Sequence, residues 1–174
     1  MKKILFLDFD GVLNTERHHE HCYENGIAPV DRYGYAFDPE AVANLKRIID
    51  ETGADIVVSS SWKFWGLSAM TDMWEERNLP GKVIGITPNT MSDEMLLNAN
   101  LEDWDAMAGK GHEIKEWLSK NGKDVIQYAI LDDVCDMLPD QQNHFVQINP
   151  VVGITEEDAE KVIAILKNSR TIKD

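Results

Sequence analysis

A chain of 174 residues, 43% hydrophobic and 28% charged, has ordinary globular composition with enough apolar residues for a core. Its length predicts one domain over residues 1–174, with room for a small insertion. A formal net charge of -14 disfavours a general surface grip on nucleic acid, because that mode needs a basic face to displace counterions, although it leaves a local basic cleft open.

The first apolar run, Lys3–Leu7, predicts a buried strand, and Asp8-Phe9-Asp10-Gly11 ends it. Met1-Lys2-Lys3 ahead of it imitates a secretory leader only faintly, since the apolar stretch is far too short. The stretch Asn14–Phe37 lacks strong periodicity and is expected as a long loop overhanging the active edge. Its His18, His19, His21 and Cys22 match no zinc spacing. The expectation is a mobile loop over a cleft, with one His in reach of substrate. Asp38-Pro39 reads as an N-cap with Pro at the first helical position. Val42, Leu45 and Ile49 follow at helical spacing, and Gly53 is the stop.

Ile56–Val58 predicts the second strand, ending in Ser59-Ser60-Ser61, and a shorter helix is expected around Ser68–Arg77. Lys82–Ile86 is the third strand. Thr87–Gly109, with Pro88 and Trp104, is a second long loop. A helix is expected over Lys110–Asn121, with Ile114, Trp117 and Leu118 on one face and Gly122 as its stop. Val125–Leu131 is the fourth strand, closing on Asp132-Asp133, and Phe145–Ile148 the fifth. Thr155 with Asp158 resembles a capping box ahead of Val162, Ile165 and Leu166. This alternation predicts an α/β fold: a Rossmann-like open parallel sheet of about five strands with helices on both faces. Ligands bind such sheets beyond the carboxyl ends of the strands. Cys22 and Cys135 are far apart and form no CxxC, which argues against a disulfide framework. No window approaches the roughly 18 apolar residues of a membrane span. The expected setting is soluble and cytoplasmic, with no membrane partner.

Asp8 and Asp10 end the first strand, Ser59 and Ser60 the second, and Asp132 and Asp133 the fourth; Lys110 opens a helix. All could converge on one edge of the sheet. Crowded carboxylates repel, each pair by about 4 kcal/mol at 4 Å and an effective dielectric near 20. A bound divalent cation relieves this, and an oxygen-only set points to Mg²⁺ with a substrate phosphate. Ser hydroxyls and a Lys ammonium suit a phosphoryl group. One carboxylate can then attack phosphorus and a second can move protons.

This ordered set resembles the haloacid dehalogenase (HAD) superfamily: Asp8-Phe9-Asp10-Gly11-Val12, a Ser after the second strand, a Lys before the fourth, and Asp132-Asp133 after it. Within it, the chain is similar to the small HAD domain of Swiss Army Knife RNA-repair proteins and of stand-alone bacterial and phage proteins. That likeness rests on Phe6–Asn14, Ser59–Lys63, Gly85–Pro88, Lys110–Ile114 with Trp117-Leu118, and Leu131–Asp133. Lys63 and Lys110 stand where that group often has Arg, so the charge is kept and the bidentate fork is lost.

The resemblance implies a Mg²⁺-dependent phosphatase with a small or absent cap. It implies Asp8 as nucleophile and metal ligand. Asp10 would be the general acid/base, with its main-chain carbonyl on the metal. Asp133, with Asp132, would complete the metal site. Ser59, with Ser60 as second choice, would hold the phosphoryl group, and Lys110 would neutralise charge; Lys63 and Lys82 are weaker candidates for that role. The substrate class is a nucleotide, a nucleic-acid end or another small phosphoester, and the acidic surface favours the smaller ones. The alternatives are a phosphotransferase to an acceptor other than water, or a non-catalytic module that keeps the fold. Asp136 reads equally as a further motif acid or as a helix N-terminal acid. Trp62, Trp65 and Trp74 are expected to pack, and Trp104 is the tryptophan expected to meet substrate.

Overall fold

The computed structural model describes residues 1–89 and 109–168. Along these residues the elements are β1 (Lys2–Leu7), α1 (Glu16–Glu24), β2 (Val30–Asp31), β3 (Gly34–Tyr35), α2 (Pro39–Thr52), β4 (Asp55–Val58), α3 (Gly66–Glu76), β5 (Val83–Ile86), α4 (Lys110–Asn121), β6 (Val125–Asp132), β7 (Phe145–Gln147) and α5 (Glu156–Lys167). A five-stranded parallel sheet runs in the order β5-β4-β1-β6-β7. The five expected strands are all present, each bound within a residue of its expected place.

Continuous apolarity in β1 has a direct structural cause. Leu5 and Leu7 face one cluster, with Leu45 and Ile48 of α2, Met73 and Trp74 of α3, and Val162 and Leu166 of α5. Ile4 and Phe6 face the other, with Ile114 and Trp117 of α4. A strand buried on both faces has no polar alternation to show. Burying each such side chain is worth about 1.5–3 kcal/mol. Phe6 also meets Trp117 edge-on, ring centroids 5.4 Å apart.

The helix ends follow their residues. Asp38 caps α2 by accepting from the Glu40 N–H at 2.9 Å, and Gly53 closes it in the left-handed conformation. Thr155 and Asp158 cap α5 reciprocally: each side chain accepts from the other's backbone N–H, at 3.2 and 3.0 Å. No helix among the described residues is long and apolar enough to cross a membrane.

One expectation fails. Asn14–Phe37 is not a featureless loop but holds α1 and the β2–β3 hairpin, in which Val30 pairs with Tyr35 and Asp31 with Gly34. Thr15 caps α1, accepting from the His18 N–H at 3.0 Å. Cys22 is the one buried residue of α1, so no apolar stripe marks its period. The hairpin docks on α3 through polar groups: Arg77 spans both carboxylate oxygens of Asp31 at 2.7 and 2.9 Å, and Tyr33 donates to Glu76 at 2.9 Å. Trp104 and most of the second long loop lie outside the described residues.

Candidate active site

Pairing carries on one residue past β1, β4 and β5. The Asp8 N–H donates to the Leu131 carbonyl at 3.0 Å, Ser59 N–H to Leu7 at 2.9 Å and Thr87 N–H to Val58 at 2.9 Å. The residues after β1, β4 and β5 are thereby set level with the end of β6, on one edge of the sheet.

Asp8 and Asp132 are buried, 4% and 0% exposed. Lys110, at the start of α4, bridges them: its Nζ donates to Asp8 Oδ2 at 2.6 Å and to Asp132 Oδ2 at 2.7 Å. The other oxygens take backbone N–H groups, Phe9 on Asp8 at 2.8 Å and Val134 on Asp132 at 2.9 Å. Half-buried Asp133 completes a trio in which each carboxylate offers an oxygen within 4.8 Å of the others. Burial pushes the Asp8 carboxyl up, against the pull of Lys110. Burial and the nearby Asp8 charge push Asp132 up to about 7, again opposed by Lys110. Burial draws the Lys110 ammonium down, but the two carboxylates outweigh it and leave it raised. When all are ionised, three carboxylates against one ammonium leave two negative charges, the complement of a divalent cation.

Gly11 makes the trio possible. Its φ is +72°, and a Cβ there would stand 2.7 Å from Asp133 Oδ2 and 2.9 Å from the Pro150 Cβ. Asp10 stands apart from the trio. Its Oδ1 accepts from Asn14 Nδ2 at 2.7 Å, and the Trp62 indole N–H donates to both its oxygens at 3.2 Å. Trp62 therefore packs as expected, against Phe9 and Phe37, but also binds an acid. Trp74 is core, 3% exposed. Trp65 corrects its expectation: it is 77% exposed and its neighbour Phe64 83%.

The two serines divide. Ser59 Oγ is buried with no hydrogen-bond partner among the described residues. Ser60 caps the following 3₁₀ turn, accepting from the Trp62 N–H at 3.4 Å, and its hydroxyl is among the groups that hold the Asp8 carboxyl down against burial. Lys63 is buried and donates to Glu113, the Thr87 hydroxyl at 3.0 Å and the Pro88 carbonyl at 3.3 Å, not to Asp8. Burial draws its ammonium down and Glu113 opposes. Lys82 is exposed at the far end of β5. Glu113 and Thr87 lie in segments that carry the family likeness but had no role assigned; the structure sets the Glu in the first turn of α4 against the Thr at a strand end. Asp136 proves to be a helix N-terminal acid: it accepts from the Lys110 N–H at 3.1 Å and so helps seat Lys110. His18, His19 and His21 lie on α1, where His19 packs on Tyr35 and His18 reaches Cys22 Sγ at 3.6 Å.

A family model described as the HAD domain in Swiss Army Knife RNA repair proteins matches residues 4–159, from β1 into α5. No curated protein matches the chain.

Proposed function

Since the chain belongs to the family of HAD domains found in Swiss Army Knife RNA repair proteins, for which a phosphorylated substrate is implied, we propose that it is a Mg²⁺-dependent phosphomonoesterase working through an aspartyl-phosphate. One observation carries this reading: the buried Asp8 carboxylate, tied to Asp132 by a single ammonium and closed by Asp133 into an oxygen-only trio. That donor set suits a hard divalent cation. Asp8, Asp132 and Asp133, with the Asp10 carbonyl, would hold the ion. When bound, it would neutralise phosphoryl oxygens and orient them.

The residues of the chain divide the chemistry. An Asp8 carboxylate oxygen attacks phosphorus, and the bond from phosphorus to the leaving oxygen breaks. Asp10 gives that oxygen its proton and the alcohol departs. Water then attacks the phosphoryl group, Asp10 takes a proton from it, and the bond between Asp8 and phosphorus breaks to release phosphate. Asp10 is thereby reprotonated for the next cycle. Lys110 holds Asp8 and offsets the charge of the incoming phosphoryl group. Of the two serines, Ser59 has the hydroxyl without a partner among the described residues, whereas Ser60 caps the following turn, so Ser59 is assigned to that group.

The test is phosphate release from a panel of phosphomonoesters with Mg²⁺ or with chelator. Hydrolysis that needs Mg²⁺ is expected; no turnover of any monoester would overturn the reading. Exposed Phe64 and Trp65, on the turn that begins beside Asp10, favour a substrate with an aromatic base. Base stacking on such side chains is worth about 1–3 kcal/mol per base. The double variant Phe64→Ala/Trp65→Ala is therefore expected to raise KM for a nucleoside monophosphate by about tenfold. KM for glycerol phosphate is expected to stay unchanged. Equal effects on both would assign the substrate to a class without a base.

A further inference from the structure

We propose that Trp62 is a positioning residue for Asp10, and that the β2–β3 hairpin is the bracket that holds it. The inference rests on Asp10 being the general acid/base. Asp10 is held from two sides. Asn14 comes from its own segment, four residues on, whereas Trp62 arrives from beyond β4, 52 residues away. The indole N–H lies 3.2 Å from each carboxylate oxygen. A donor shared evenly between two oxygens fixes the direction in which the carboxylate points, and Asn14, on one oxygen, fixes its rotation about the Cβ–Cγ bond. Neither the indole N–H nor the amide NH₂ can accept a hydrogen bond. Both partners therefore aim the carboxylate without competing for the proton that it passes in the proposed mechanism.

The indole is itself clamped. Phe9 meets it edge-on at 5.6 Å and Phe37 lies against it at 5.8 Å. The Arg77 guanidinium lies 5.6 Å from its ring centroid. On the remaining side the hairpin backbone presses close: a Cβ on Gly34 would stand 3.0 Å from Trp62 Cη2 and 3.2 Å from Cζ2. Arg77 is fixed by both oxygens of Asp31 and donates to the Gly34 carbonyl at 3.4 Å, and Asp31 and Gly34 pair within the hairpin. Position thus passes from hairpin to Arg77 and Gly34, then to Trp62, then to Asp10. The insertion between β1 and α2 acts on the acid without touching the phosphoryl group.

Proton donation matters most when the leaving group is basic, and such catalysis is worth about 10²–10⁴-fold. Trp62→Phe keeps the ring and removes the N–H. It is expected to lower kcat for an alkyl phosphate by about 30-fold or more, with little change in KM. Its kcat/KM for p-nitrophenyl phosphate, which reports only the step in which the leaving group departs and here needs no proton, is expected to fall by less than about threefold. Asp31→Asn, an exposed change that loosens Arg77, should shift the two substrates in the same unequal sense but less. Equal losses of kcat/KM on both substrates, or no loss in either variant, would reduce Trp62 to packing and overturn the proposal. Wild-type protein inactive on both substrates would instead overturn the phosphatase reading on which it rests.

Discussion

Asp8→Asn is expected to fold and to lose Mg²⁺-dependent phosphate release by on the order of 10³-fold or more. An amide is a poor nucleophile toward phosphorus, and its adduct would not follow the aspartyl-phosphate route. The substitution spares the architecture. Asn keeps the shape and its carbonyl oxygen can still accept from the Phe9 N–H; the Lys110 ammonium loses Asp8 as an acceptor but keeps Asp132, and a carboxylate that burial disfavours is gone. The thermal midpoint should therefore hold while kcat collapses, and binding of beryllofluoride with Mg²⁺ should be lost with it. An Asp8→Asn protein that hydrolyses p-nitrophenyl phosphate at the wild-type rate would end the nucleophile assignment.

Metal-free protein is expected to lose stability as pH rises from about 4 to about 7, and Mg²⁺ is expected to restore it. Asp132 sits near 7 in the native state against 3.8 for the ordinary side chain, so the native state keeps a proton that the unfolded chain releases. Unfolding then releases a proton throughout that window, and stability falls with rising pH. Each tenfold difference in proton affinity between the two states is worth about 1.4 kcal/mol, so the loss reaches a few kcal/mol by neutrality. Asp8 is raised too and acts in the same direction. Asp31, held by Arg77, and Glu51, held by Lys167 and Arg47, are lowered. Their contribution is lost only as pH falls below the ordinary carboxylate range, so the two trends leave a maximum near pH 4 in the metal-free protein.

A cation held by the trio displaces the Asp132 proton, so Mg²⁺ affinity should rise up to about pH 7 and then level. At a hundred times its dissociation constant the ion adds about 2.7 kcal/mol. Scanning calorimetry from pH 4.5 to 8, with and without Mg²⁺, reads the stability. Titration calorimetry in buffers of different ionisation enthalpy reads the released proton. A melting point indifferent to Mg²⁺ at pH 7.5 would remove the ion from the trio.

Much of this was legible in the residues themselves. LFLDFDG announces a strand buried on both faces that stops on two acids and turns at once on Gly11. Caps at Asp38 and Thr155 and the stop at Gly53 are local signals, carried within four residues of the helix end, and they give the β/α order that sets all five strands parallel. That order alone puts Asp8, the serines and Asp132 on one edge. What required the tertiary structure is every choice among near-equivalent residues. Lys110 rather than Lys63 reaches Asp8 across 102 positions, because Lys63 is paired with Glu113. Asp136 became a cap on α4 rather than a fourth member of the trio. Helix α1 and the hairpin went unread because polar contacts, not an apolar stripe, hold them down. Trp62 shows the limit most plainly: its ring was foreseeable as packing, but the partner of its N–H depends on how β1, β4 and the hairpin meet. Local patterns fix which elements form, since their causes lie within a turn or a strand. The partners of a long side chain are set by the packing of elements distant in sequence, and only the folded chain decides them.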